Sequence, residues 1–202
     1  MHNYSINNDT KLKVFFLLVM ASLLLLSLLE WMAPFLHQLN VFISIPSAFA
    51  IYGLLYILFS KYLWQSKILN LLGLVQTPII NGKWSGILKS SVNNFKQEYP
   101  ITIDIHQTWD KISIYLEGET KESESTMAGF RVINPSKSEL EWGFLSKDKP
   151  EYRKQDDYIV CGIAKVTLNM TKQNKTSNRL SGSYYTEQGS DTNGSISLTR
   201  ER

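Results

Sequence analysis

The chain has 202 residues, with 21 Lys plus Arg against 18 Asp plus Glu and a single cysteine, Cys161. A net charge of +3 is too small to argue for duplex nucleic acid by bulk electrostatics. One cysteine excludes an internal disulfide framework and any Cys-based zinc cluster.

The averages conceal two materials: only 6 charged residues fall in the first 75 positions, whereas 33 fall in the remaining 127. A polar segment, 1–13, ends on Lys11 and Lys13 and reads as a cytoplasmic tail. The run VFFLLVMASLLLLSLL follows without a charge, and apart from Glu30 the apolar character continues to Leu36. At 1.5 Å per residue, about 20 such residues cross a bilayer core, so 14–36 is expected to be a transmembrane helix. Residues 39–60, also uncharged, are expected to be a second, after a short turn around Pro34 to Gln38. A cleaved signal peptide fits less well, because a second apolar run follows at once and no small-x-small site intervenes. Lys11 and Lys13 precede the first span and Lys61 and Lys67 follow the second. The positive-inside rule therefore places both termini of a two-span protein in the cytoplasm. Glu30, beside Trp31, is expected at the outer interface. Segment 61–78, with KILNLLGLV, reads as an interfacial helix or linker.

From residue 79 onward the pattern changes to short alternating segments separated by Gly, Asn, Asp, Ser and Pro. Strands are expected at 83–91, 100–108, 111–119, 126–133, 139–145, 158–170, 179–186 and 195–200. Alternation is clearest where Ile101, Ile103 and Ile105 oppose Thr102, Asp104 and His106. Eight strands with short connections favour an antiparallel meander closed on itself over a sandwich, because closure removes exposed edges. The fold class expected is thus a two-helix transmembrane hairpin followed by an eight-stranded, lipocalin-like β-barrel over 79–202. The segment Gly82-Lys83-Trp84-Ser85-Gly86 has the Gly-x-Trp pattern of lipocalin-like barrels, in which the Trp closes one end. Arg200, on the same side of the last strand as Ile196 and Leu198, is expected to lie over the Trp84 ring as a cation–π plug.

Catalytic equipment is sparse. His106 is the one histidine of residues 79–202 and, with Asp104, lies on a polar strand face. The acidic stretch Glu117, Glu119, Glu122, Glu124 reads as a solvated hairpin loop rather than a metal site. No metal, no cofactor and no enzymatic activity are expected. Aromatic and guanidinium groups are plentiful by contrast. Bases stack on aromatic faces and Arg forks bind phosphates, so a flat anionic ligand suits the set. Inward parity selects Trp142, which shares a face with Leu140 and Phe144; Tyr158, with Val160; and Tyr184 and Thr186, with Leu180. Arg131 and Arg153 complete the candidate ligand-binding residues, although Arg131 lies opposite Phe130 and Val132.

Two closely spaced spans, cytoplasmic ends, and a strand-rich domain opening on Gly82 to Gly86 and ending on Gly194 to Arg200 resemble a known family. It comprises the membrane-anchored β-barrel effectors of bacterial cyclic-oligonucleotide anti-phage signalling (CBASS). That resemblance implies a cyclic dinucleotide as activating ligand, made by a partner nucleotidyltransferase. It also implies a homo-oligomer on activation and disruption of the inner membrane that kills the infected cell. A membrane-tethered, lipocalin-like carrier or sensor of an apolar small molecule is the alternative; a filled barrel acting as a scaffold comes next.

Overall fold

The computed structural model describes residues 1–7, 11–38, 46–134, 136–152, 159–169, 177–187 and 192–201. The chain forms two units, one of Asp9–Val75 and one of Met1–Asn8 with Gln76–Arg202.

In the first unit, helix α1 runs over Lys11–Gln38 and α2 over Ala48–Lys61. The stretch Lys11–Phe35, 25 residues long, is apolar enough to cross a membrane. Its serines are satisfied inside the helix, with the Ser22 and Ser27 hydroxyls donating to the Val19 and Leu23 carbonyls at 2.7 and 3.0 Å. Helix α2 starts at Ser47, whose hydroxyl accepts from the Ala50 amide at 3.3 Å. It has 14 residues, about 21 Å, which is short of the ~30 Å bilayer core. Residues 39–45 of the expected second span lie outside the described residues. The Phe15 and Tyr56 rings approach to 6.2 Å between α1 and α2. Helix α3, Lys67–Leu71, is brief and follows a 3₁₀ turn at Leu63–Gln65.

The second unit is a closed barrel. Its strands are β1 (His2–Ile6), β2 (Gly82–Ser90), β3 (Glu98–Gln107), β4 (Lys111–Glu117), β5 (Lys121–Asn134), β6 (Lys137–Asp148), β7 (Val160–Asn169), β8 (Arg179–Glu187) and β9 (Asn193–Arg200). From β2 to β9 each strand pairs antiparallel with the next, and β9 returns to pair with β2. The eight strands expected within 79–202 are β2–β9, and among the described residues a ninth joins them. Residues 2–6, read from sequence as part of a polar tail, form β1, which pairs antiparallel with β4 and parallel with β5. The pattern HNYSI hides this, since Tyr4 and Ile6 are its only apolar residues and both partner strands are more than a hundred residues away.

Alternation decides which side chains fill the interior. Ile101, Ile103 and Ile105 of β3, Ile112 and Ile114 of β4, Leu140 of β6, Val166 and Leu168 of β7, Leu180 of β8 and Leu198 of β9 are all buried in one core. The acidic stretch is also corrected. Only Gly118–Thr120 form the turn, while Glu122 and Glu124 lie within β5, which starts five residues earlier than expected. There Lys147 lies 3.2 Å from Glu122, and the Tyr115 hydroxyl donates to the same carboxylate at 2.5 Å.

Candidate functional site

One end of the barrel is plugged. Trp84 is fully buried, and its indole N–H donates to the Ile80 carbonyl at 2.9 Å. Arg200 faces it as its direct cross-strand partner, with the guanidinium carbon 4.9 Å from the ring centroid. The same guanidinium donates from Nη2 to the carbonyls of Ile79 and Asn81 at 3.2 and 3.0 Å. Burial lowers the Arg200 pKa from its ordinary value, the cation still being favoured at any physiological pH. Gln107 seals the remaining backbone: its side chain accepts from the Ile80 amide at 3.0 Å and donates to the Pro78 carbonyl at 2.9 Å. The two-stranded register thus places an aromatic ring, a cation and an amide where the chain would otherwise leave carbonyls unsatisfied.

The opposite end is built differently. One ladder row runs Ala128, Trp142, Ala164, Tyr184, Gly194, Ser90 through β5, β6, β7, β8, β9 and β2. It passes mid-strand through Trp142 and reaches the last residue of β2 at Ser90, so it climbs from the interior to the rim, as strand tilt in a barrel requires. Trp142 and Tyr184 stand two strands apart with the small Ala164 between them. Strands lie about 4.8 Å apart, so the two aromatic side chains leave their backbones about 10 Å from each other. Trp142 is 5% exposed and Ala164 1%, whereas Tyr184 is only partly buried and packs against the edge of the core. The Tyr184 ring rests on Gly194, where a Cβ would stand 2.2 Å from its Cε1. One row nearer the rim, the Phe144 ring rests in the same way on Gly162. Glycine at these two positions lets each ring lie flat against the neighbouring strand instead of standing across the barrel.

Hydroxyls crown this end. The Tyr184 hydroxyl is hydrogen-bonded to Ser90, and burial raises its pKa, a shift that Ser90 partly offsets. Thr186 and Thr192 share a hydroxyl–hydroxyl bond of 2.8 Å, and the Ser91 hydroxyl accepts from the Asn193 amide at 3.1 Å. The Tyr99 hydroxyl donates to Gln97 at 3.2 Å and accepts from Asn93. Among the described inward positions of this half, Leu88, Ser90, Tyr99, Leu116, Ser123, Phe144, Ser146, Gly162, Tyr184, Thr186 and Gly194 carry no charge, while Asp148, two residues beyond Ser146 at the end of β6, puts a carboxylate on this face, 3.3 Å from its cross-strand partner Lys121. Aromatic faces, hydroxyl donors and a carboxylate already neutralised by Lys121 suit a flat anion.

The sequence-selected residues fall in three places. Trp142, Tyr184 and Thr186 belong to this end and to two adjacent ladder rows. Arg131 is on the outer face, lining a groove of about 400 Å³ with Ser5, Met127, Glu139 and Lys165. Its Nη2 lies 2.6 Å from Glu139, which also holds Lys165 at 3.2 Å. Burial pushes the Glu139 carboxyl up, but the bonds from Arg131 and Lys165 outweigh it and hold the pKa below the usual carboxylate range. Tyr158 and Arg153 lie outside the described residues. Ser90 and Tyr99 join this end without having been among the sequence candidates, although counting by twos from Trp84 and from Ile101 points both of them inward.

Residues 75–200 match the model of a protein family described as Cap15, cyclic dinucleotide receptor domain. Among curated proteins, CD-NTase-associated protein 15 of Yersinia aleksiciae is 26% identical over 192 residues, an alignment that covers 92% of this chain and 86% of that protein.

Proposed function

Because this chain belongs to the Cap15 cyclic dinucleotide receptor domain family, we propose that it is a CBASS effector whose barrel receives a cyclic dinucleotide made by a partner nucleotidyltransferase. The observation that carries this reading is the Trp142–Ala164–Tyr184 row beneath a hydroxyl-lined rim whose carboxylate, Asp148, is paired with Lys121. A base stacks on the partly buried Tyr184 ring and on Trp142 once it enters beside Ala164, while Ser90, Thr186 and Tyr99 supply donors to base edges or phosphate oxygens. Each stacked base contributes about 1–3 kcal/mol. The plugged end, with Trp84 and Arg200, keeps the barrel shape and stays out of the ligand's reach. The filled lower core, with Leu140, Leu168, Leu180 and Leu198 buried, speaks against a carrier with a wide apolar cavity.

The protein acts as a receptor and not as a catalyst. Helix α1, with α2, holds it in the inner membrane with both termini in the cytoplasm. Ligand binding drives homo-oligomerisation, and packing of the helices, eased by the small Ala48, Ala50 and Gly53 of α2, disrupts the bilayer. A ligand achieves this only by binding the assembled state more tightly. A swing from 1:99 to 99:1 needs a differential of about 5.5 kcal/mol. The test is dye release from liposomes holding the full chain, with a panel of cyclic dinucleotides. Release with one or more of them is expected, and a panel that neither binds nor releases dye sinks the reading.

A further inference from the structure

The hairpin β4–β5 does not close along its length. Direct pairing is confined to Tyr115, Leu116 and Glu117 with Glu124, Ser123 and Glu122. At the next step the Ile114 amide bonds to the Ser125 hydroxyl at 2.9 Å in place of a backbone carbonyl, and a register shift follows between Ser125 and Met127. From there the two arms part by the width of one strand, and β1 fills the opening. His2 and Asn3 pair with Ile112 and Lys111 on one arm, and Tyr4, Ser5 and Ile6 pair with Ala128, Gly129 and Phe130 on the other.

The fit is specific in side chains as well. Tyr4 is 3% exposed, packs edge-on against Phe130 at 5.3 Å, and its hydroxyl donates to the Trp109 carbonyl at 2.6 Å. His2 Nε2 is 2.8 Å from the Ser125 hydroxyl. Asn7 accepts from the Val132 amide at 2.7 Å and donates to the Val132 carbonyl at 3.2 Å. The slot is therefore a strand-acceptor site that reads an aromatic at its centre and a polar side chain at each end. Its occupant is not part of the continuous β2–β9 meander. It reaches the barrel from the far side of α1, α2 and α3 in the chain order.

We propose that this slot is an interaction site between copies of the chain: filled in cis by residues 2–6 at rest, it takes the same segment of a second copy in the assembled state. Exchange of an identical segment loses no contact, because every bond broken in one copy is remade in the other. The balance is then set by effective concentration, which rises when copies are gathered in one bilayer. The edges left by departure of β1, on β4 and β5, are the kind that accept an added strand. The proposal rests on the assembly part of the function given above.

Ser5 and Gly129 provide the test. Both face outward, and a Cβ at Gly129 would lie 2.9 Å from the Ser5 hydroxyl oxygen. That is about the separation, ~3 Å, between a Cβ and the far sulfur in a disulfide. In a Cys161→Ser background, a chain carrying both Ser5→Cys and Gly129→Cys is expected to close an internal disulfide at rest. If it does not, β1 is not in its slot and the proposal falls. Two differently tagged chains, one with Ser5→Cys and the other with Gly129→Cys, are then mixed in liposomes with and without the cyclic dinucleotide panel, and assembly is read separately with a lysine-reactive cross-linker. Assembly accompanied by a disulfide between the two tags supports exchange. Assembly without that disulfide overturns exchange and leaves the effector reading standing. Absence of assembly overturns both, and the cross-linker distinguishes the two failures.

Discussion

Tyr184 and Gly194 are direct partners across the β8–β9 ladder, and the tyrosine ring lies where any Cβ on residue 194 would have to go. The same Cβ would stand 2.1 Å from the Lys89 carbonyl oxygen, which is backbone and unable to swing away. Gly194→Ala is therefore expected to destabilise the barrel by about 1–3 kcal/mol, as overpacking does. It should also tilt Tyr184 out of the ligand end. Urea denaturation of the full chain in detergent, followed by tryptophan fluorescence, reads the first effect. In a double-mutant cycle, Tyr184→Ala should recover the ring's share of the loss but not the share due to Lys89. Additive losses would mean that ring and glycine are not coupled.

At the plugged end, Arg200 both covers the Trp84 ring and bonds the Ile79 and Asn81 carbonyls. Lysine keeps the charge but not the planar fork, so Arg200→Lys is expected to cost about 1–2 kcal/mol. Trp84→Ala, which empties a fully buried site, is expected to cost about 3–5 kcal/mol. Ligand affinity of folded Arg200→Lys should match the wild type, because the site is at the other end. A large loss of affinity at unchanged stability would move the site to the plug.

The Tyr115–Glu122 pair sets an alkaline signature. Its hydrogen bond to the Glu122 carboxylate, helped by burial and by the neighbouring acids, pushes the Tyr115 pKa up to about 12, and the same bond lowers that of Glu122. For Tyr115 the folded pKa exceeds the unfolded one, so its contribution is complete below pH 10.0 and fades as pH rises toward about 12. For Glu122 the folded pKa lies below the ordinary carboxylate value of 4.5, so its contribution is complete above that pH and is lost on acidification. Carbon-13 tyrosine NMR should show one ring titrating well above the rest, and Glu122→Gln should return it toward the ordinary range. If Glu122→Gln leaves every tyrosine where it was, the bond does not form in solution.

Periodicity of two made much of this barrel readable. Ile101 to Ile105 and Leu140 to Phe144 declared their inward faces, and Trp84 with Arg200 marked the first and last strands of the meander. Features carried by pairing over long distances stayed hidden. β1 offers just two apolar positions, too few to show a period, and its partners lie on strands β4 and β5. The acidic stretch concealed the start of β5, because charged side chains on an outward strand face look the same in sequence as a loop. Within the site, aromatic parity selected Trp142 and Tyr184, whereas small hydroxyl residues such as Ser90 carry no hydrophobic signal of their own. Arg131 attracted notice by its chemistry, yet strand parity puts it outside, where Glu139 neutralises it.

Tyr184 is the proposed stacking surface for a cyclic dinucleotide, and equilibrium titration of the full chain in detergent with a cyclic dinucleotide panel tests this most directly. Wild type and Arg131→Ala are expected to bind the same member with equal affinity, and Tyr184→Ala about 5- to 150-fold more weakly, the equivalent of about 1–3 kcal/mol of stacking. Binding by folded Tyr184→Ala at wild-type strength, or loss of binding in Arg131→Ala alone, would contradict it.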